Sequence, residues 1–386
     1  MNPFYEQMPV SVFERMSLAA ARHGAVNLGQ GFPDFGWPEP ILEAGGQALR
    51  EGSNQYAPSR GVPELRKAVA DHYGRHHGME LGPDNILITS GATEAIAASI
   101  FALVQPGDEV VIFAPAYDAY APLVRRAGGV VREVPLRPPE WRIEQAALET
   151  AVSTRTRAIV LNNPHNPTGR LFTPEELESV AAVARAYDLL VLSDEVWEHV
   201  LLDDRSFTPF ASLPGMGERT LKCGSAGKIF SLTGWKVGWL VADSAVIDVV
   251  ARAHQFLTFA TATNLQAAVA FGMREGDAWL HPMRRSFTEA RDRLTAGLKR
   301  SGYAVLPSAS TYFLCVDLSA SGLDVNDEEF AAVAVEHAGV AVIPISAFFE
   351  EEPARHLVRL CFAKRPETID QGIAAMDRAM RLLARR

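Results

Sequence analysis

Cysteine is scarce in this chain, with three in 386 residues, at positions 223, 315 and 361. None forms a C-x-x-C pair, so neither a disulfide framework nor a zinc knuckle is indicated. Long basic runs are missing as well. Lys+Arg 37 against Asp+Glu 46 leaves a formal net charge of -9, which disfavours nucleic acid and anionic membranes as partners. No apolar run has membrane-spanning length. The opening MNPFYEQMPVSVFERMS lacks the basic-then-apolar order of a secretory signal. Internal repeats and low-complexity tracts are absent too, and a reducing cytoplasm is the expected location. What is plentiful is apolar sequence. A hydrophobic content of 48% is enough for one large domain plus a smaller one.

The middle of the chain alternates β-rich and helical stretches. NILITS (85–90), EVVIFA (109–114), RAIVLNN (157–163) and LLVLSDE (189–195) read as buried strands. GATEAIAASIFALV reads as a helix, and so does TPEELESVAAVARAYD. In the latter, Thr173 is the N-cap, Pro174 the first helical residue and Glu176 the closing member of a capping box. Strands buried on both faces and alternating with helices indicate an α/β domain with a mostly parallel sheet. Ligands in such domains sit beyond the carboxyl ends of the strands. The polar clusters fall there: Ser90-Gly91, Asn162 to Asn166, and Asp194. After about Glu275 the pattern changes. A long polar helix, MRRSFTEARDRLTAGLKRSG, leads to STYFLCVDL and HLVRLCF, as in a smaller α+β domain. The irregular first ~45 residues are expected to pack with it or reach a partner.

Three motifs fail. GQGFPD begins as a dinucleotide fingerprint, but Asp34 replaces the third glycine and Pro33 blocks an immediate helix. GSAGK is no phosphate loop, because Lys222 stands where the first glycine belongs and Ile229 replaces the hydroxyl residue. The RHH stretch with His76 and His77 has no carboxylate or cysteine at ligand spacing and reads as a solvated helix face.

One constellation holds together. Lys228, preceded by the small residues Ser225-Ala226-Gly227, sits where a backbone can approach a cofactor; alone it also reads as an exposed loop lysine. Asp194 ends an apolar strand, where it could equally cap a turn. SGATEA opens a helix after a strand, so Gly91, Ala92 and Thr93 present free amides, or form a plain cap. Tyr117 and Val196 can sandwich a ring. Arg359, inside an apolar strand, needs an anion unless it lies on a wet face. A nucleophilic lysine, an acid for a pyridine nitrogen, a phosphate cradle, a ring sandwich and a carboxylate clamp are together the requirements of pyridoxal 5'-phosphate chemistry.

In these residues the chain resembles the class I pyridoxal-phosphate aminotransferases of fold type I. Kynurenine/glutamine transaminases and bacterial methionine aminotransferases are nearest in pattern. The blocks NLGQGFPDF, NQYAPSRGVPELR, TSGATEA, PAYDAYAP, NNPHNPTG, SDEVWEH, GSAGKIFSLTGWKVGW, STYFL and VRLCFAK carry the resemblance in order along nearly the whole chain. It implies a large domain over 46–280 with a mostly parallel, seven-stranded-type sheet. A small α+β domain would come from 281–386 and the N-terminal arm, 1–45. It makes Lys228 the Schiff-base lysine and proton carrier, Asp194 the partner of the pyridine nitrogen, and Asn166 a donor to the ring's phenolic oxygen. Tyr117 stacks on the ring; Ser225 and Lys236, with the amides of Ala92 and Thr93, hold the phosphate. Arg359 takes the substrate α-carboxylate, aided by Asn166 and the backbone at Gly31.

By the same resemblance, Tyr56 of the NQY block would reach the neighbouring subunit's phosphate, which implies a homodimer with shared sites. Phe13 and Phe259, the latter from the neighbour, line the side-chain pocket. One departure is Trp197, where the family usually places a phenolic donor; an indole has a single N–H on a larger frame. The resemblance implies transamination of an apolar, aromatic or sulfur-containing amino acid. N-succinyl-diaminopimelate or aspartate are alternatives, favoured if a basic residue such as Arg60 faces the substrate. A carbon–sulfur β-lyase would use the same residues. A non-catalytic regulator and a nicotinamide oxidoreductase find no support in the motifs.

Overall fold

The computed structural model describes residues 1–384. Seven strands form the central sheet: β1 (Ile86–Thr89), β2 (Glu109–Ala114), β3 (Val130–Pro135), β4 (Thr156–Asn162), β5 (Leu190–Asp194), β6 (Thr220–Ser225) and β7 (Gly238–Val241). Their spatial order is β1-β7-β6-β5-β4-β2-β3. Only β7 runs against its neighbours, β1 and β6; the other pairings are parallel.

The continuous apolar runs have a simple cause. Ile86, Ile88, Val111, Phe113, Ile159 and Leu161 enter the core on one face of the sheet. Their alternates Leu87, Val110, Ile112, Ala158 and Val160 enter a second core on the other. Both faces are covered, so the two-residue period of each strand carries no polar side.

The expected strands and helices are present. Thr173 caps the helix Pro174–Ala186 in a capping box with Glu176. Three strands were not legible beforehand. β3 is a half-exposed edge, β6 carries a buried lysine, and β7 is four residues long. The reading of the RHH stretch as a solvated face is corrected. The helix Pro63–His77 buries His72, with 2% exposure, and the His77 side chain is 8% exposed beside Glu198. The fold supplies carboxylates that local spacing does not reveal.

A second, antiparallel sheet holds β8 (Ala304–Val305), β9 (Phe313–Asp317), β10 (Ile343–Pro344) and β11 (Leu357–Cys361) in the order β10-β11-β9-β8. Arg359 of β11 is opposite Cys315 of β9. Val26–Asn27 pairs in parallel with Val340–Ala341, which stitches the N-terminal segment to the C-terminal one. The long helix Asp277–Arg300 begins upstream of the polar run at Met283 and accommodates Pro282 near its start. That proline forfeits the amide bond to the carbonyl one turn back. Among the described residues no helix is long and apolar enough to cross a membrane.

Candidate active site

The parallel strands β4, β5 and β6 end side by side, which places Asn162 next to Asp194 and Asp194 next to Cys223. The reversed β7 starts at the same end. Its first residue, Gly238, is registered with Thr89 of β1 on one side and Ser225 of β6 on the other. A cavity opens over these strand ends. It is lined by every candidate site residue named from the sequence except Tyr56, Phe259 and Arg60.

Lys228 sits on the short helix Ala226–Ile229, directly after β6. Its Nζ donates to Tyr312 Oη at 2.9 Å, and that hydroxyl donates to the Gly31 carbonyl at 2.6 Å. The ammonium lies 4.7 Å from the centroid of the Trp197 ring. Burial, reinforced by the Arg359 and Lys236 cations, pushes the Lys228 ammonium down to about 8, against the pull of Asp194. A fraction of the amine is therefore neutral near neutral pH.

Asp194, 5% exposed, accepts from Tyr120 Oη at 2.5 Å through Oδ2; its Oδ1 has only a 3.4 Å contact with the Val196 amide. Burial raises its carboxyl above the usual value, opposed by the Tyr120 hydroxyl and the Lys228 charge. Among the described residues no cation donates to it. A buried carboxylate left this way fits a protonated pyridine nitrogen.

The phosphate end also fits. Gly91 caps the helix Ala92–Leu103 with φ 79° and no side-chain cap, leaving the first amides free. A Cβ on Gly91 would lie 3.1 Å from Lys236 Nζ, and one on Gly238 would lie 2.6 Å from the Ala92 amide nitrogen. Lys236 itself is left-handed, with φ 53°. Tyr117 is half-buried between these ends, and its hydroxyl is hydrogen-bonded to Thr93.

Arg359 is 1% exposed, so the wet-face reading of this strand fails. Its Nη1 donates to Asn166 Oδ1 at 2.9 Å and its Nη2 to the Gly29 carbonyl at 2.8 Å. The guanidinium carbon is 3.9 Å from the Phe313 ring centroid and 5.0 Å from that of Phe13. Burial pushes it down to about 10, and Nε has no hydrogen-bond partner. An orphaned buried donor on a cation is a place for an anion. With Asn166 Oδ1 committed to Arg359, its amide Nδ2 remains to donate into the cavity.

Tyr56 and Phe259 stand apart from this cavity. They are 88% and 47% exposed and pair edge to face, with ring centroids 5.6 Å apart. Arg60 is also elsewhere, ion-paired to Asp248 in a separate surface cleft. Sequence reasoning missed Tyr312, Phe313 and Gln30, and placed Asn162 only in a polar cluster at a strand end. The first two lie in STYFL, a block quoted above, but nothing local marked Tyr312 as the partner of Lys228.

Comparison with known proteins gives the same picture. The family model for aminotransferase class I and II matches residues 24–376. The solved N-succinyldiaminopimelate aminotransferase of Mycobacterium tuberculosis superposes with a TM-score of 0.94 at 43% identity, covering 97% of this chain and 99% of that one. The methionine aminotransferase of Escherichia coli is 38% identical, over 97% of both chains. Kynurenine–oxoglutarate transaminase 3 of Mus musculus is 35% identical, over 95% of this chain and 87% of its own. With a matching family model over most of its length and a lysine, acid and cradle where that cofactor needs them, the chain belongs to the pyridoxal-phosphate-dependent class I and II aminotransferases.

Proposed function

We propose that the amino donor is an apolar, aromatic or sulfur-containing amino acid of the methionine, kynurenine or glutamine type, with a 2-oxo acid as acceptor. One observation carries this. Among the described residues the cations lining the cavity are Lys228, Lys236 and Arg359. The two lysines would be engaged by the cofactor, and Arg359 by the α-carboxylate. None is left for a second substrate carboxylate, and the surrounding walls are Phe13, Phe313, Tyr117 and Trp197. Aromatic walls suit thioethers and rings.

Pyridoxal phosphate, when bound, supplies an aldehyde that takes up the amino group and a ring that spreads the electrons left at Cα. The chain's residues do the rest. Arg359 binds and orients the α-carboxylate, through Nε and the fork beside it. Asn166 keeps that fork fixed. Lys228, partly neutral because its cation is poorly solvated, moves the Cα proton. Asp194 holds a proton at the ring nitrogen. Gly91, Ala92, Thr93, Ser225 and Lys236 hold the phosphate, and Tyr117 and Val196 bracket the ring. Tyr56 and Phe259 serve the neighbouring chain of a homodimer, for which their joint exposure away from their own cavity is the support. The three free, buried cysteines suit a reducing cytoplasm.

A second reading is N-succinyl-diaminopimelate as donor, favoured by the 43% identity to the mycobacterial enzyme. Its extra carboxylates would need a cation from the neighbouring subunit. The test is a donor panel with 2-oxo acid acceptors, in which the new oxo acid is identified. Methionine or kynurenine should give the highest kcat/KM; a higher value for N-succinyl-diaminopimelate replaces the first reading by the second. Pyruvate and ammonia released from cystathionine without an acceptor would instead indicate β-elimination. A sedimentation mass of 42.0 kDa, that of one chain, would remove the dimer.

A further inference from the structure

Behind the cofactor cavity lies a nest of imidazoles that transamination does not use. His72, His76 and His77 come from the end of the helix Pro63–His77. His199 comes from the loop after β5, two residues beyond Trp197. Ring centroids are 4.3 Å apart for His72 and His76, 4.9 Å for His72 and His199, and 5.9 Å for His77 and His199.

Three nitrogens in this nest are orphans, His72 Nδ1 and the two that face Glu198's side of it. Nε2 of His77 and Nδ1 of His199 have no hydrogen-bond partner among the described residues, although both are buried. Native interiors leave few polar atoms this way, and an absent ion is one explanation. His77 Nε2 is 3.3 Å from Glu198 Oε2, but not in hydrogen-bonding geometry. The charge balance points the same way. Glu195 and Glu198 share one ammonium, with Lys222 Nζ at 2.5 and 2.6 Å from their Oε2 atoms, and all three side chains are at most 1% exposed. Two buried carboxylates thus have one ammonium between them, and the nearest further group that could offset their charge is His77, 3.3 Å from Glu198 Oε2. There is also a way in, because a surface cavity bounded by Met79, Asn85 and Thr220 reaches His77.

We propose that His77, Glu198 and His199 form a binding site for a divalent transition-metal ion of the zinc class. One donor atom from each lies within 4.8 Å of the other two. Zinc–nitrogen bonds of about 2.0 Å imply donor separations of about 3.3 Å, so the three side chains would close inward on the ion. Two imidazoles and a carboxylate leave a fourth position for water from the surface cavity. His72 positions the site. Its Nε2 is 2.8 Å from His199 Nε2, so Nδ1 is the nitrogen of His199 left free to coordinate. That outer contact fixes tautomer and ring orientation, as partners of metal-bound histidines do. The other nearby triad, His72, His76 and Asp277, is less suited. His76 Nε2 is already 2.8 Å from Asp277 Oδ1, so that pair is satisfied without an ion, and Asp277 lies half exposed. Since Glu198 and His199 directly follow Trp197, a bound ion would stiffen one wall of the active cavity.

The test uses the cofactor-loaded enzyme, stripped with a chelator, dialysed, and titrated with Zn2+ and separately with Co2+. The wild type should bind about one Zn2+ per chain and show the ligand-field bands of low-coordinate Co2+. His77→Gln, at the outer edge of the nest, should abolish both while His76→Gln keeps them. Glu198→Gln, checked for folding by circular dichroism, should weaken binding at least about tenfold. The proposal is overturned if the wild type binds no stoichiometric Zn2+. It is also overturned if binding survives His77→Gln, or if it is lost in His76→Gln alone.

Discussion

Lys222 and Lys228 leave the same stretch of chain and meet opposite environments. Lys222 is fully buried, shared by Glu195 and Glu198, and lies 4.7 Å from the centroid of the Tyr73 ring. Those charges raise its ammonium well above the ordinary lysine value, despite the burial that opposes them. Lys228 has a neutral phenol for its hydrogen bond, and its ammonium is pushed down to about 8. Burial alone therefore does not make a lysine reactive. What separates the two is the company: paired carboxylates lock the proton on at Lys222, whereas at Lys228 burial goes largely uncompensated and the Arg359 and Lys236 cations add to it.

The comparison can be broken most directly at the lysines themselves. Lys228→Ala should lower turnover by about 10⁴-fold, the upper end of what a positioned proton carrier supplies, while leaving the fold intact. Lys222→Met should do the reverse, lowering stability by about 3–5 kcal/mol in urea unfolding, because two carboxylates lose their cation. Full activity in the first variant, or unchanged stability in the second, would erase the distinction.

Smaller changes sharpen it. Arg359→Lys keeps the charge but loses the fork, and KM for the donor should rise by about 10- to 100-fold, the value of a charge-assisted hydrogen bond or two. The pH response of Lys228 follows from its depressed value. The folded chain binds fewer protons than the unfolded chain between about pH 8 and the ordinary lysine value of 10.5. The charged amine thus costs stability below about pH 8, and the cost fades as pH rises. Lys228→Met should raise the melting temperature of the cofactor-free protein at pH 7 and change it little at pH 10.5. The smallest effect is expected for Trp197→Tyr, which exchanges a ring wall for a possible donor. It should move the pH midpoint of the cofactor's visible absorbance by less than about one unit; superimposable titrations would show that Trp197 does not tune the site.

Both lysines were visible in the sequence, but to different degrees. Lys228 was legible because its flanking glycine and serine, the acid at 194 and the guanidinium at 359 each carry a local signature. A strand end, a helix start and an arginine in an apolar run are short-range patterns. Lys222 had no such signature, since its carboxylates come from the loop after β5. In the sequence it served only to reject a phosphate loop. The histidines were misread for the same reason. His77 meets Glu198 and His199 through tertiary packing, so no local spacing could reveal its partners. β3, β6 and β7 were not read as strands because one is a half-exposed edge and the others interrupt the apolar pattern with a lysine or are short. Tyr312 was passed over because a tyrosine in an apolar strand looks like core.

Gly238 gives the sheet register a second task. It is registered with Ser225, three residues before Lys228, on one side and with Thr89, two residues before Gly91, on the other. In the proposed function, the spacing between the backbone that carries Lys228 and the amides after Gly91 is thus set by strand pairing. A methyl group there, 2.6 Å from the Ala92 nitrogen, would reset that spacing without touching a single residue that contacts the substrate.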